Sequence, residues 1–496
     1  MSKKVIVVGG GIAGLSAGIY AQRCGFDVTV LEGHSIAGGN CTSWKRGGYL
    51  FEGGMHWLTG SSKDEPLNKA WRCVGALDDS VAVHTPEPFI AYSHNRDLVN
   101  FYRDADKTEK HWLEISPVDA KEIKTLFGYI HAFKKLAMPL TNIRGVKTTK
   151  KTHPPLSLLF SALPVFRLMG KLSKIPRDEY LNRFKHEGIR EVLRSYTTDK
   201  SGVLPLVFTM GTLARGDGGF PEGGSLPFAG RMSETFKSLG GQLLLNTRAD
   251  KVIIENGKAA GVMALGKRFD ADAVIVAADT MQIDYLFDIP LKSPWLDQMR
   301  RTAEPTMCTF VSLGIDADLK KYSHVYSFKP EQPVSVGNKV NEYLSLNNYA
   351  SDPVYSPAGK AAVTMALTGD TYDFWKKAKE EGRYKEEKKK IADEIIAAIT
   401  VQIPEARGKI EVIDVATPLT YERYFGNWKG SWMTEMLPGM SMKTYSPVID
   451  KGFDGVYFAG QRMMPPGGLP VALMSGRIAV QHLCKDIGAL FVSEDG

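Results

Sequence analysis

The sequence predicts an α/β protein: a doubly wound domain assembled from separated pieces of chain, carrying an inserted α+β domain of mixed sheet and helical lid. Three observations predict it. The apolar run Val5–Val8 leads directly into a glycine triplet that opens a helical pattern. Glycine-rich patches at residues 9–60, 211–224 and 460–476 divide the rest of the chain, which contains no internal repeat. The 496 residues also exceed the roughly 250–300 at which a single core stops growing, so two domains are expected.

Composition narrows the class before any motif is read. With 43% hydrophobic and 24% charged residues the chain is globular in type. The net charge of +7 is spread over the whole length, without the basic, aromatic-interleaved helix that would point to nucleic acid. It is compatible with an anionic membrane surface as partner. Five scattered cysteines, Cys24, Cys41, Cys73, Cys308 and Cys484, contain no CxxC pair, so neither a disulfide framework nor a metal site is expected. Met1-Ser2-Lys3-Lys4 runs straight into the first strand without a signal peptide's apolar region, and no stretch of about 18 apolar residues occurs. The expectation is a cytoplasmic protein, with peripheral attachment to the cytoplasmic face of a membrane left open.

The first strand, loop and helix carry the strongest chemistry. In Lys4-Val-Ile-Val-Val-Gly9-Gly10-Gly11-Ile12-Ala13-Gly14, Gly9 permits a tight turn and Gly11 lets backbone approach a pyrophosphate. Gly14 packs the helix closely on the strand, so phosphates rest on the helix N-terminus around Gly11, Ile12 and Ala13. The second strand, Asp27–Leu31, ends in Glu32, placed to accept hydrogen bonds from ribose hydroxyls and to repel a 2′-phosphate. No second GxGxxG opens a helix, which argues against a separate nicotinamide domain.

Further along, Val99–Arg103 reads as a strand, and residues 120–137 and 178–195 read as helices. Alternation over Thr309–Ile315 and Ala362–Leu367 predicts half-buried strands, and Lys385–Ile399 has helical spacing. Gly455–Gly460 is a buried strand, and Pro466-Gly467-Gly468-Leu469-Pro470 opens a helix reaching about Leu483. One segment stands apart: the apolar run Leu156–Met169 lies between Lys147, Lys150 and Lys151 on one side and Lys171, Lys174 and Arg177 on the other. It is too short to span a bilayer, and pattern alone fits both a membrane-dipping segment and a lid over the cavity.

After Glu32 come Gly38-Gly39-Asn40-Cys41-Thr42 and Gly47-Gly48-Tyr-Leu-Phe51-Glu52-Gly53-Gly54-Met55-His56. These runs resemble the phytoene desaturase, carotenoid isomerase and retinol saturase family of flavoproteins, within the wider amine-oxidase-like class. The resemblance returns at Phe220-Pro-Glu-Gly223-Gly224-Ser225 through Gly240-Gly241 to Val252, at Ala416–Gly430, and at Gly460 with Gly468-Leu469. It covers both ends and the middle and weakens over residues 60–175 and 280–405.

The resemblance implies a Rossmann-like domain holding FAD non-covalently. In it Gly38, Gly39 and Thr42 line the pyrophosphate, Gly54, Met55 and His56 approach the flavin, and Val252 meets adenine through its backbone. Gly460, Gly468 and Leu469 bring a helix N-terminus to the flavin pyrimidine edge. Asn40 stands where many relatives carry arginine. No cysteine lies near the start of the last helix, so no covalent thioether is expected.

The implied domains are residues 1–62, 211–278 and 450–496 for FAD, and 63–210 with 279–449 for substrate, 147–177 being the membrane or lid segment. The implied activity is oxidoreduction at carbon–carbon double bonds of a long apolar polyene, carotenoid or retinoid in type, as desaturase, saturase or isomerase, with the electron donor or acceptor unspecified. A flavin amine oxidase and a non-catalytic flavin-holding protein are the alternatives. His56 is the candidate proton-handling residue, or else a histidine that only hydrogen-bonds cofactor or backbone. Arg215 and Asp217, on a loop beside the second flavin-domain segment, read as a solvated turn before they read as a site, and Trp428, Trp432 and Tyr424 are left unassigned between core aromatics and substrate cage.

Overall fold

A computed structural model describes residues 2–94, 97–149, 156–440, 442–449 and 451–494. Two sheets organise them. The first has five parallel strands in the order Gln242–Leu244, Asp27–Leu31, Lys4–Val8, Ala273–Val276 and Val456–Phe458. Its central strands are valine- and isoleucine-rich and buried on both faces, as a parallel sheet covered by helices requires. The strands come from three separated pieces of chain, and the fold is the Rossmann-like one expected.

Helix Ile12–Arg23 leaves the first strand and is crossed by the C-terminal helix Leu469–Ile487. Glycines set how closely these elements approach. A Cβ at Gly14 would lie 1.8 Å from the Gly9 carbonyl oxygen, and one at Gly476 would lie 2.4 Å from that of Ala13. No other residue fits at these crossings.

The second sheet has seven strands in the order Ile410–Ala416, Cys308–Ile315, Ala361–Thr368, Leu344–Asn348, Val325–Phe328, Ile90–His94 and Asp97–Phe101. Only Val325–Phe328 and Ile90–His94 pair in parallel. Strand alternation gives its two faces opposite characters. Val311, Leu313, Val363, Met365, Leu344 and Leu346 pack with Trp375, Ile391, Ile395 and Ile399 from helices Tyr372–Glu380 and Tyr384–Gln402. The opposite face carries smaller and more polar side chains, among them Ser312, Thr364, Ala366, Ser327, Ser345 and Asn347, and turns toward the cavity described below.

A helical layer closes the remaining side. Ala120–Phe133 and Val203–Ala214 pack together, and Gly211 lies inside the second helix against Phe133 instead of forming a turn. The helix expected over 178–195 is two, Arg177–Leu181 and Glu187–Arg194, because Asp119 accepts the Lys185 and His186 N–H groups at 2.7 and 2.9 Å and bends the chain between them. Leu156–Leu172 is helical. Lys150, Lys151 and the rest of 150–155, and the side chains of 156–163, lie outside the described residues. The described part rests Val165 and Leu172 on the core beside Leu168 and Met169, while Phe166 stays 55% exposed. Among the described residues no helix is long and apolar enough to cross a membrane.

Candidate functional site

One cavity of about 1400 Å³ runs from the glycine loop to the polar face of the seven-stranded sheet. It exceeds the roughly 300–1,000 Å³ of an ordinary small-molecule pocket, so it has room for a dinucleotide and a second sizeable molecule. Two helix N-termini open into it. Gly11 caps Ile12–Arg23 and Gly468, at φ 88°, caps Leu469–Ile487. Neither cap has a side-chain hydrogen bond, and neither helix has an acidic residue in its first turn. Their N–H groups and partial positive charge are therefore left for a ligand. This is the observation of fit for a dinucleotide: a pyrophosphate suits the first helix end and an electron-rich ring edge the second.

Most of the sequence-predicted residues meet on this wall. Gly9, Gly11, Ile12, Ala13, Glu32, Gly38, Gly39, Asn40, Gly54, Met55, His56, Gly460, Gly468 and Leu469 all line the cavity. Gly14 does not, since it sets the close approach of the helix to the Gly9 turn. Two more stand away from the wall. Thr42 contributes a carbonyl that accepts the Gly53 N–H at 3.1 Å. Val252 is 1% exposed, paired with Val262 in a separate three-stranded sheet, and Arg248 and Ala249, just before it, reach the cavity instead.

Glu32 accepts the Gly10 N–H at 2.6 Å and the His34 N–H at 2.7 Å, which fixes the carboxylate between glycine loop and second strand. Burial raises its pKa despite those hydrogen bonds. The Asn40 side-chain oxygen accepts from Asn427 at 2.5 Å, so this amide is engaged by a residue of the far loop.

His56 sits where the two halves of the cavity meet. Its ring lies 5.4 Å from that of Trp432 and 6.3 Å, stacked, from Phe310, and Asn347 contacts its Nδ1 at 3.4 Å. Burial pushes its pKa down to about 4, so the imidazole is neutral at pH 7. The residue that places it is Glu52, a buried carboxylate accepting from Gly54 N–H at 2.8 Å, Met55 N–H at 2.9 Å, Ser225 N–H at 2.9 Å and Tyr355 hydroxyl at 3.0 Å. Glu52 thereby ties the 53–56 segment to the start of helix Ser225–Ser238. Its acidic position within the glycine-rich run was the available sequence signal.

Arg215 and Asp217 are not a solvated turn. Asp217 is fully buried and accepts from Gly60 N–H at 2.7 Å and from Ser61 and Ser62 at 3.1 Å, while Arg215 pairs with Glu65. The glycine pattern hid a polar anchor. Trp432 and Tyr424, left unassigned by the sequence, line the cavity. So does the ion pair Asp279–Arg462, a bidentate contact at 2.7 and 2.9 Å with both side chains under 10% exposed. Burial alone would raise the Asp279 pKa, but the Arg462 charge and hydrogen bonds outweigh it and hold the group below its ordinary range.

A parallel sheet whose glycine-capped helix and terminal acid meet at one cavity defines a dinucleotide-binding oxidoreductase, with the second uncapped helix facing the same space. Residues 12–484 match the model of the flavin containing amine oxidoreductase family, and the chain belongs to that family. Its cofactor is FAD, and it is an FAD-dependent oxidoreductase acting on a small molecule. Among curated proteins it is similar to all-trans-retinol 13,14-reductase of Danio rerio, 23% identical over 96% of this chain and 86% of that one. It is also similar to 4,4'-diaponeurosporene oxygenase of Staphylococcus aureus strain USA300, 22% identical over 96% and 97%. Cyclohexylamine oxidase from Brevibacterium oxydans shares the fold, with a TM-score of 0.62 at 15% identity over 98% of this chain and 100% of that one.

Proposed function

We propose that this oxidoreductase acts on carbon–carbon double bonds of a long apolar polyene, carotenoid or retinoid in type. The observation that carries the reading is the continuation of the cavity beyond His56. The lining there includes Met55, Trp57, Phe89, Met138, Phe208 and Met436, side chains suited to an extended hydrocarbon, alongside charged residues such as Arg194 and Lys339. The two curated relatives named above are described as acting on a retinol and on a carotenoid, which supports the same substrate class.

Bound non-covalently, FAD would supply the hydride chemistry. The glycine loop with Ile12 and Ala13 would hold its pyrophosphate and Glu32 its ribose. Gly38, Gly39 and Asn40 would cover the phosphates, and Gly460, Gly468 and Leu469 would face the flavin pyrimidine edge. The remaining residues position the substrate and exclude water. Neutral His56, held by the Glu52-anchored backbone and flanked by Trp432 and Phe310, orients the substrate against the flavin; its Nδ1 accepts from the Asn347 amide, which leaves Nε2–H as a donor.

The test has two arms on the purified holoenzyme under anaerobic conditions. Apolar polyenes are added to oxidised and to reduced enzyme, and soluble amines to oxidised enzyme, with flavin absorbance and product chromatography as readouts. The expected result is a change of flavin redox state with polyenes, together with an altered double-bond count or geometry in the product. Reduction by an amine with no response to any polyene would overturn the reading.

A further inference from the structure

Across the cavity from the nucleotide end, three hydroxyls form a chain that draws on three distant parts of the sequence. Ser195 follows helix Glu187–Arg194, Ser327 is on Val325–Phe328, and Ser345 is on Leu344–Asn348; all three line the cavity. Ser195 Oγ lies 3.3 Å from Ser327 Oγ, and Ser327 Oγ lies 2.5 Å from Ser345 Oγ. Their proximity follows from register, since Ser327 and Ser345 are directly paired across the antiparallel strands.

The direction of the chain is fixed at one end. Ser195 donates its proton to the Glu191 carbonyl at 3.0 Å. Each serine has a single hydroxyl proton, so with Ser195 committed to Glu191 the arrangement that fills both contacts has Ser327 donating to Ser195 and Ser345 donating to Ser327. The free lone pairs of Ser345 then face the cavity, and among the described residues no other hydrogen bond to this hydroxyl is made. Beside Ser195, Tyr196 and Thr197 also line the cavity, each with a buried hydroxyl that has no partner. Leaving such groups unpaired costs free energy, which a polar ligand atom would recover.

We infer that this wall recognises a hydroxyl group carried by the substrate, with Ser345 Oγ accepting its proton. Ser345 is a specificity-determining residue on this account. Asn347, which contacts His56, lies two residues along the same strand from Ser345, about 7 Å at the usual rise. The polar group is thus recognised at a fixed distance from the flavin end. The inference rests on the polyene reading and sharpens it to polyenes bearing a donor group.

The test titrates the full-length holoenzyme with all-trans-retinol, its aldehyde and a hydrocarbon carotenoid, reading quench of tryptophan fluorescence. The alcohol both donates and accepts, whereas the aldehyde of the same skeleton only accepts. The expected result is binding of the alcohol about three- to tenfold tighter than the aldehyde. Ser345→Ala abolishes that preference by weakening the alcohol alone. Ser327→Ala frees the Ser345 proton, so the preference collapses because the aldehyde binds better, a reversal that a merely structural role would not produce. Equal affinity of alcohol and aldehyde in the unaltered protein, or an unchanged preference in Ser345→Ala, would overturn the inference. Tight binding of the carotenoid without preference for the alcohol would leave the polyene reading standing and remove this one, and failure of all three probes to bind would remove both.

Discussion

At one end of the cavity the chain presents backbone: Gly9, Gly11, Gly38 and Gly39 with the N–H groups of two glycine-capped helices. At the other end it presents side chains from strands far apart in sequence, Tyr92, Ser327, Ser345, Asn347 and Ala366, aligned on one face of a sheet. The first end tolerates little substitution at Gly9, Gly38 and Gly39, whose positive φ strains any side chain, and a Cβ at Gly38 would also lie 2.6 Å from the Cys41 carbonyl oxygen. The second is set by which side chains alternate toward the cavity, so it can change without disturbing the fold. A large family can therefore share a cofactor and diverge in substrate.

The seam between the two ends is where the largest effect is expected. Asp279 follows one strand of the parallel sheet and Arg462 another, and Trp428 N–H also donates to Asp279 at 3.0 Å. Removing one partner of a buried pair leaves the other charge uncompensated, so Asp279→Ala should cost about 3–5 kcal/mol in urea unfolding. The double change Asp279→Leu with Arg462→Met should recover most of it. A single-variant loss below about 1 kcal/mol would show that the seam does not depend on the pair.

The contrast between the ends is tested most directly by adding a methyl group to each. Gly14→Ala drives a Cβ into the Gly9 carbonyl and should cost toward the upper end of about 1–3 kcal/mol, with loss of bound FAD. Ala366→Val, on the sheet face at the substrate end, should leave FAD content and unfolding midpoint nearly unchanged. Similar losses from both would erase the distinction.

That distinction also accounts for what the sequence made legible. Glycine spacing, the apolar first strand and terminal Glu32 announce a backbone-built site because each residue type there answers a local geometric demand. Strands Cys308–Ile315 and Ala361–Thr368 were legible to within a residue or two at each end, since alternation is also local. Helix Val203–Ala214 is buried almost all round, so its sequence lacks the polar face that reveals a helical period. The break between Arg177–Leu181 and Glu187–Arg194 comes from Asp119, some 66 residues away. The serine chain is still less legible, because three ordinary serines become a site only through sheet register.

Glu32→Ala should weaken FAD retention by about 1.5–3 kcal/mol through loss of charge-assisted hydrogen bonds to the ribose. Burial raises the Glu32 pKa, so the carboxylate takes up a proton at higher pH than an ordinary glutamate, and retention should decline as pH falls through that raised value. A dissociation constant unaffected by the substitution would remove Glu32 from the ribose site.

His56 gives a pH signature at the junction of the two ends. Its folded pKa of about 4 lies below the unfolded value near 6.5, so on acidification the unfolded chain takes up a proton that the folded protein refuses. The His56 contribution to stability is therefore complete above about pH 6.5 and is lost as pH falls from there toward 4. Ring nitrogen NMR should show a neutral His56 throughout pH 5–8. Titration of that ring between pH 6 and 7 would place it in a more solvated setting than the structure gives it.

The smallest effect is expected outside the cavity, on helix Leu156–Leu172. Its described part buries Val165 and Leu172 against the core and leaves Phe166, Arg167 and Lys171 exposed, with Lys174 exposed just beyond it. A helix tied to the core along one face can meet a membrane only with the other, so attachment should be peripheral and electrostatic in large part. Each basic residue near an anionic surface is worth on the order of 1 kcal/mol, an attraction that salt screens. The protein should co-sediment with anionic vesicles at low ionic strength, bind neutral ones less, and be released as salt is raised. Lys171→Ala should reduce vesicle binding severalfold while leaving FAD content unchanged, because Lys171 faces solvent beside Tyr129 and lies on neither wall of the cavity. Equal recovery in the supernatant with and without anionic vesicles would assign the helix to covering the substrate end alone.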